Sequence, residues 1–261
     1  MSSTYDDITG HSYWEILYDA YNQWIKKHLD KKNLILADLG CGTGLTSDLL
    51  LENDNTVFGL DLTSQLLKAA KNRHTRSTFE VTSGDITHLP FSNDSFEGIV
   101  CFDTLEHISS VEKAISEIGR TCKSGGMFLF DIPSSLILDF SYFFGYYGKS
   151  GLISALKSLT QDKVMYEWHS YDDEYNLQKV KTYRYKFHYI DNLLKSNGFK
   201  IVEKRGVHIS TMLIPEKIQA NVVSSTISKI NDRLVKVDNF LNKFPFMKNR
   251  ALYMLYACKK E

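Results

Sequence analysis

The chain has neither an excess of one charge nor a long apolar run. Its 261 residues carry 31 Lys and Arg against 31 Asp and Glu, so the formal net charge at pH 7 is zero. This balance argues against a nucleic-acid-binding surface, which normally shows a basic excess. No stretch reaches the roughly 18 apolar residues of a spanning helix, and the first residues lack the basic and apolar regions of a signal peptide.

Cysteine is scarce, and its spacing fits no disulfide framework or metal site. The four cysteines are Cys41, Cys101, Cys122 and Cys258. Two of them lie in strand-like apolar runs, so we expect buried, reduced thiols. Together with the absence of a leader, this predicts a cytoplasmic protein. The length suits one sizeable α/β domain with insertions.

The most informative segment is a glycine turn that follows a buried strand. An apolar run ends at Asp38; Gly40, Gly42 and Gly44 follow, and a helical pattern begins at Leu45. This order is typical of the entrance to a nucleotide site in a doubly wound sheet, because glycine lets the backbone approach a ligand closely. Leu45 stands where a dinucleotide fingerprint has its third glycine, and Asp38 would repel a pyrophosphate.

A second acid narrows the ligand further. Asp61 ends another apolar segment, near the ~20-residue offset at which a carboxylate meets ribose hydroxyls. The negative charge of Asp38 suits a ligand with a cationic amino group and a sulfonium. A nucleoside with ribose and positive charge but no phosphate describes S-adenosylmethionine.

Several motifs resemble those of one enzyme family. Residues 38–44 (Asp-Leu-Gly-Cys-Gly-Thr-Gly) resemble motif I of class I S-adenosylmethionine-dependent methyltransferases, in particular methyltransferase type 11 and the ubiquinone-menaquinone type. Later motifs follow in the family's order, at 59–61, 83–86, 89–91, 94–97, 105–108, 122–126 and 193–199. The resemblance is dense over 34–133 and looser over 183–206.

The resemblance implies an α/β fold over a single methyltransferase domain, 1–261. We expect a Rossmann-like seven-stranded sheet, mostly parallel with the last strand antiparallel, helices on both faces and a helical, aromatic lid. Alternating strand and helix patterns support the parallel sheet. The predicted strands lie near 34–38, 56–61, 78–82, 97–102, 126–131, 199–206 and 251–258.

Three segments lie outside the shared pattern. The spacing of apolar residues over 13–29 predicts an amphipathic helix with an aromatic face, within an N-terminal helical cover over 1–30. Residues 134–185 begin with a dense aromatic stretch and follow the fifth strand. Because ligands bind outside the carboxyl ends of the strands, we expect this insertion to be a lid over the acceptor substrate.

The third segment, 207–250, predicts a helical insertion before the last strand. Apolar residues recur every three or four positions from Val223 to Leu241, which indicates a helix of roughly 25 residues with one apolar stripe, ending before Pro245. From residue 201 onward there are 11 Lys and Arg against 5 Asp and Glu. This excess fits a solvated helix face, a homodimer contact, or contact with an anionic partner or membrane surface.

The resemblance also implies the cofactor-binding residues. Asp61 would accept hydrogen bonds from the ribose, and Asp85 one from the adenine amino group, with Ile86 against the ring. Tyr13, with Tyr5 and Trp14, could close over the sulfonium by cation–π contact, core packing being the alternative. The predicted cofactor contacts are Asp38, Gly40, Cys41, Gly42, Gly44, Asp61, Leu62, Asp85, Ile86, Phe102 and Tyr13.

Methyl transfer requires mainly that the acceptor be oriented and water excluded. A hydroxyl acceptor also benefits from a general base, usually histidine. His107, which follows the fourth strand, is the favoured candidate. The other histidines considered are His11, His169, His188 and His208.

The segment from Asp103 to His107 also resembles the Glu-x-x-Glu-His element of metal-using methyltransferases, with Asp where they have Glu. Asp103, Glu106 and His107 could hold a divalent metal, with Asp131 as a further ligand. We favour the simpler interpretation, a helix start with acidic residues, and predict no metal.

The sequence therefore predicts methyl transfer to a small apolar or aromatic metabolite, with oxygen favoured and carbon or nitrogen open. The Asn/Asp-Pro-Pro-Tyr and Pro-Cys signatures of DNA-base methyltransferases are missing. One alternative is a protein or RNA methyltransferase that docks through the basic C-terminal insertion. Another is a catalytically inactive S-adenosylmethionine-binding protein.

Overall fold

A seven-stranded sheet runs through the part of the chain that the computed structural model describes, which is residues 12–134, 157, 160–171, 177–210 and 225–261. The strands of the whole described chain are β1 (Ile35–Leu39), β2 (Thr56–Asp61), β3 (Phe79–Ser83), β4 (Phe96–Cys101), β5 (Cys122–Pro133), β6 (Lys163–Tyr171), β7 (Leu177–Tyr185), β8 (Phe199–Val207) and β9 (Tyr253–Lys260). The order in the large sheet is β3-β2-β1-β4-β5-β9-β8. Its first five strands are parallel, and β9 is antiparallel to both neighbours. The predicted strands and the antiparallel last strand are confirmed.

Seven α-helices lie in the described residues. They are α1 (Ser12–His28), α2 (Leu45–Leu50), α3 (Ser64–Arg73), α4 (Val111–Thr121), α5 (Phe187–Ser196), α6 (Ser225–Leu241) and α7 (Pro245–Lys248). A short 3-10 turn, Leu105–His107, follows β4. No helix among the described residues is long and apolar enough to cross a membrane.

Each face of the sheet carries its own apolar core. Strand side chains alternate between faces, so that on β5 Phe128 and Phe130 pack with α4 and α5 while Leu129 packs with α1. On α1, a stripe that includes Leu17 and Trp24 is buried against the sheet, and the Trp24 indole donates to the Tyr256 carbonyl at 3.0 Å. The predicted N-terminal cover is thus a packed helix over 12–28, and residues 1–11 lie outside the description.

The described part of the predicted lid forms an antiparallel hairpin, β6–β7, which the sequence analysis did not predict. The hairpin lies against the turn after β4, where Tyr185 donates to the Ile108 carbonyl at 3.2 Å and Lys163 donates to the Ser109 carbonyl. It therefore stands at the carboxyl end of β4, the edge expected for a lid. The aromatic stretch 136–147 lies outside the described residues.

Helix α6 ends before Pro245 as predicted, and the described residues of its predicted apolar stripe differ in burial. Leu234 and Leu241 are half-buried, whereas Ile230 and Val237 are exposed. A buried acid, Asp238, also attaches the helix. Its carboxylate accepts hydrogen bonds from the Ile209 and Ser210 amides, at 3.0 and 2.6 Å, and from the Ser210 hydroxyl.

All four cysteines are free and buried, as expected. Burial raises the pKa of each thiol above its ordinary value.

We predict that Asp238→Ala destabilises the fold strongly, because it leaves buried backbone donors without an acceptor. The free energy of unfolding should fall by about 3 kcal/mol, measured by urea denaturation. Asp232→Ala is the matched control, since this acid lies exposed on the same helix, and its effect should stay within about 0.5 kcal/mol. Equal effects of the two substitutions would contradict the anchoring role.

Candidate active site

The turn after β1 is built from left-handed glycines and tied to β2. Gly40 and Gly42 have φ of 78° and 52°, a region that other residues enter only with strain. The Gly40 and Cys41 amides donate to the Leu60 carbonyl at 2.7 and 3.1 Å. A Cβ on Gly40 would overlap Thr104, whereas a Cβ on Gly42 would meet none of the described residues within 4 Å. The turn therefore leaves open space at Gly42.

Asp61 fixes this turn with its carboxylate. One carboxylate oxygen accepts from the Gly42 amide at 3.0 Å, and the other accepts from the Thr63 amide at 2.7 Å. A carboxylate has about four acceptor positions, so further donors can still bind. The predicted Asp61 thus lies in hydrogen-bonding contact with the predicted glycine turn.

Asp38 is a buried acid in β1, just before the glycine turn. It is only 2% exposed, and Ser47 donates to it at 2.6 Å. Burial raises the pKa of Asp38 to about 7, and the nearby Asp61 charge adds to this rise, while the Ser47 hydrogen bond opposes it. Asp38 therefore carries only part of a negative charge near neutral pH until a cation approaches.

The segments after β2 and β3 present an apolar and an acidic side chain. Leu62 is 75% exposed, although it is a large apolar residue that directly follows Asp61. Asp85 is exposed, and its carboxylate accepts from the Thr87 amide and hydroxyl at 2.8 and 2.9 Å, which lowers the pKa of this acid. Ile86, by contrast, is buried in the core shared with α4.

Phe102, at the end of β4, is packed inward rather than open to a ligand. Its ring stacks on Tyr21 of α1, with centroids 4.2 Å apart and an interplanar angle of 12°. The Tyr21 hydroxyl donates to Asp131 at 2.9 Å, and Asp131 in turn accepts from the Asp103 amide at 2.7 Å. These bonds join α1, β5 and the exit of β4 into one buried network, and they hold Asp103 at a φ of 50°.

Glu106 extends the network as a buried acid. Among the described residues, none makes a hydrogen bond to its Oε2. Burial raises the pKa of Glu106 well above its ordinary value, and the charges of Asp103 and Asp131 add to this. Burial likewise raises the pKa of Asp131, with Asp103 adding to it.

The described residues contain no group of three His, Cys, Asp or Glu side chains arranged to hold a metal ion. His107 is exposed, and its imidazole lies 3.4 Å from the Lys181 carbonyl of the hairpin. The turn after β4 therefore directs Glu106 inward and His107 outward, toward β7.

The other predicted site residues are dispersed. His188 is exposed beside Asp162, and His208 is buried beside Tyr253. Trp14 packs on the core of α1, which favours the packing alternative. The Tyr13 and His169 side chains, and all of Tyr5 and His11, lie outside the described part of the chain.

Three residues of the site were not predicted from the sequence. Thr104 covers Gly40, Ser47 holds Asp38, and Tyr21 holds Asp131. Only Ser47 had a local signal, since it lies on the helix that follows the glycine turn.

Comparison with known proteins agrees with this geometry. Residues 37–130 match the family model described as a methyltransferase domain. The chain is 27% identical over 244 residues to MJ1252 of Methanocaldococcus jannaschii, an uncharacterized protein, covering 92% of this chain and 89% of that one. It is also 27% identical to a demethylmenaquinone methyltransferase of Tropheryma whipplei, covering 55% and 61% of the two chains.

A solved structure shares the fold. An S-adenosylmethionine-dependent methyltransferase from Mesorhizobium loti superposes with a TM-score of 0.59 at 15% identity, covering 96% of this chain and 99% of that one. The part of the chain that matches the family model, residues 37–130, contains the glycine turn, Asp61 and the end of β4. Residues 37–130 are thus similar to a methyltransferase domain, and the whole sheet has the fold of a solved S-adenosylmethionine-dependent methyltransferase.

Proposed function

We propose that the protein transfers the methyl group of S-adenosylmethionine to a small, apolar or aromatic acceptor, with oxygen as the acceptor atom. The observation that carries this proposal is the open space at Gly42, bounded by the Asp61 carboxylate. The likeness to a demethylmenaquinone methyltransferase supports a quinone-like acceptor. Buried, unpaired cysteines suit a reducing compartment such as the cytoplasm.

The cofactor is placed by the residues around the turn. Asp61 accepts hydrogen bonds from the ribose hydroxyls through its remaining lone pairs. Leu62 offers its exposed side chain to the adenine, Asp85 accepts from the adenine amino group, and buried Ile86 supports that segment. The turn from Gly40 through Cys41 to Gly44 lies along the methionine part, whose cationic amino group faces Asp38. Phe102 backs the site through its packing on α1, and Tyr13 is the proposed cation–π partner of the sulfonium.

His107 acts as the general base for a hydroxyl acceptor. Its imidazole lies exposed at the carboxyl end of β4, under the β6–β7 hairpin. Removing the hydroxyl proton during the transfer makes the oxygen a better nucleophile toward the methyl carbon. The hairpin, as part of the lid, helps exclude water from the reacting atoms.

The direct test is incubation with labelled S-adenosylmethionine and small-molecule extracts or catechol- and quinol-type acceptors. Gain of one methyl mass on a small molecule supports the proposal, and fragmentation of the product locates the methyl on oxygen or carbon. Label appearing only in protein or RNA would favour the macromolecular alternative. Cofactor binding without transfer to any fraction would favour an inactive binding protein.

Gly42→Ala should weaken cofactor binding, whereas a glycine substitution with similar backbone strain elsewhere should not. Gly125 has a similar left-handed φ of 79° and open space around it, so Gly125→Ala is the matched control. Both substitutions should cost about 1–2 kcal/mol of stability from backbone strain. Only Gly42→Ala should weaken S-adenosylmethionine binding, by at least about tenfold, as measured by calorimetry. Equal affinities of the two variants would argue against a ligand at Gly42.

Cofactor affinity should depend on pH through Asp38. The free protein holds the pKa of Asp38 at about 7, and a cation beside the carboxylate lowers it. Below this pKa binding must therefore release a proton, so affinity should fall up to tenfold per pH unit under pH 7 and level off above it. Ser47→Ala removes a hydrogen bond that favours the ionised form of Asp38. The pH above which the affinity levels off should therefore rise. A flat profile in the wild type would contradict this role.

His107→Gln should lower kcat about 100-fold and leave the affinity for S-adenosylmethionine unchanged. His188→Gln is the control, because His188 is an exposed histidine on α5. An unchanged kcat in His107→Gln would show that another group, or none, serves as the base.

A further inference from the structure

An aromatic and basic surface lies at the end of α6 and along α7. We call it the 240–250 face, defined by Phe240, Lys243, Phe244, Phe246 and Arg250. The three phenylalanines are 57%, 47% and 68% exposed. Exposed aromatic side chains gathered in one place commonly mark an interaction surface rather than ordinary solvent contact.

The side chains of this face are organised in pairs. The Phe240 and Phe244 rings pack edge to face with centroids 5.3 Å apart. Lys243 lies over the Phe240 ring at 5.9 Å, and Arg250 lies over the Phe246 ring at 4.6 Å. Each cation therefore stands beside an apolar ring, so that one partner must accommodate both.

The charge on the face has a single sign. Between residues 240 and 250 the chain contains Lys243, Lys248 and Arg250 and no Asp or Glu. The acid nearest to this segment along the chain is Asp238. It is buried and accepts hydrogen bonds from the 209–210 backbone. The complementary partner is therefore anionic, and it must also offer an apolar phase for the rings.

The apolar character continues along α6. Ile230 and Val237 are 40% and 43% exposed, and Phe240 follows Val237 after three positions. Ile230 and Val237 form the outer side of the apolar stripe whose other described members, Leu234 and Leu241, are half-buried. A helix with lysine and arginine beside phenylalanine and aliphatic side chains is typical of elements that lie in a membrane interface.

We propose that the 240–250 face docks the protein on the surface of a bilayer that contains anionic phospholipids. The rings enter the boundary between headgroups and acyl chains, while Lys243, Lys248 and Arg250 contact lipid phosphates. Lysine and arginine stems reach along apolar surface with their charges in the polar layer, which matches the cation–ring pairs.

A second copy of the chain is a poorer partner for this face. In a two-fold dimer the same patch meets itself, which would bring like charges together. Nucleic acid would satisfy the cations but would leave the aliphatic stripe of α6 in water. A bilayer satisfies the charges and the stripe together.

The position of the face gives the docking a purpose. α7 leads into β9, whose first residue, Tyr253, pairs with Pro133 at the carboxyl end of β5. The face therefore adjoins the sheet edge at which the acceptor binds. Docking there would let an apolar acceptor pass from the lipid to the site; this loading role rests on the proposed function, whereas the docking itself does not.

The test is co-sedimentation of the full chain with vesicles of phosphatidylcholine alone or mixed with phosphatidylglycerol, without any methyl acceptor. We expect binding only to the mixed vesicles, weakened by salt. The double variant Phe240→Ser/Phe246→Ser should lower the partition coefficient at least about tenfold. Lys243→Gln/Arg250→Gln should lower it about 25-fold, as about fivefold for each cation.

Val202→Ser is the matched control, because this exposed apolar side chain lies on β8, away from the face. It should leave vesicle binding unchanged, and all variants should keep S-adenosylmethionine binding, which serves as the check of folding. Failure of cofactor binding in the wild type would count against the proposed function alone.

Three outcomes would overturn the docking proposal. The first is no binding to either kind of vesicle, and the second is binding that the variants of the face leave unchanged. The third is that the face binds another partner and the protein does not bind vesicles. A dimer in analytical ultracentrifugation that the phenylalanine variant dissociates would show this, as would single-stranded RNA binding that the charge variant removes.

Discussion

The candidate site depends on Asp61, whose carboxylate accepts hydrogen bonds from two backbone amides. Its carboxylate joins the turn after β1, through Gly42, to the segment after β2, through Thr63. The parallel pairing of Leu39 with Leu60 brings these two exits side by side. Because a buried strand pair sets the position of the acid, the open space at Gly42 is shaped before any ligand arrives, and little ordering remains for binding to accomplish.

The sheet and the glycine turn could be predicted from the sequence because their signals are local. A strand that ends in Asp38 and a second that ends in Asp61 are visible within about 30 residues, and their pairing follows from the fold class. The contact of Tyr21 with Asp131 joins residues 110 positions apart, and no local pattern encodes it. The burial that raises the pKa of Asp38 depends on how the sheet packs and likewise has no local signal.

The structure of the two insertions, 134–185 and 207–250, was harder to predict for a different reason. The β7 sequence, Leu177–Tyr185, has both apolar and polar residues in each of its two sets of alternate positions, so the alternation that identifies a strand is weak. In α6 the apolar spacing correctly indicated a helix, but periodicity cannot tell a buried stripe from one that faces outward. Asp238, which attaches the helix to the 209–210 segment, is a polar residue that apolar patterning overlooks.

Burial of all four thiols has a practical chemical consequence. The thiolate is the form that reacts with alkylating reagents and oxidants, and burial both shields Cys41, Cys101, Cys122 and Cys258 and disfavours that form. We therefore expect the native cysteines of the folded chain to react only slowly with maleimides and peroxide. A single cysteine introduced at an exposed position would carry a spectroscopic label alone, without removal of the native ones.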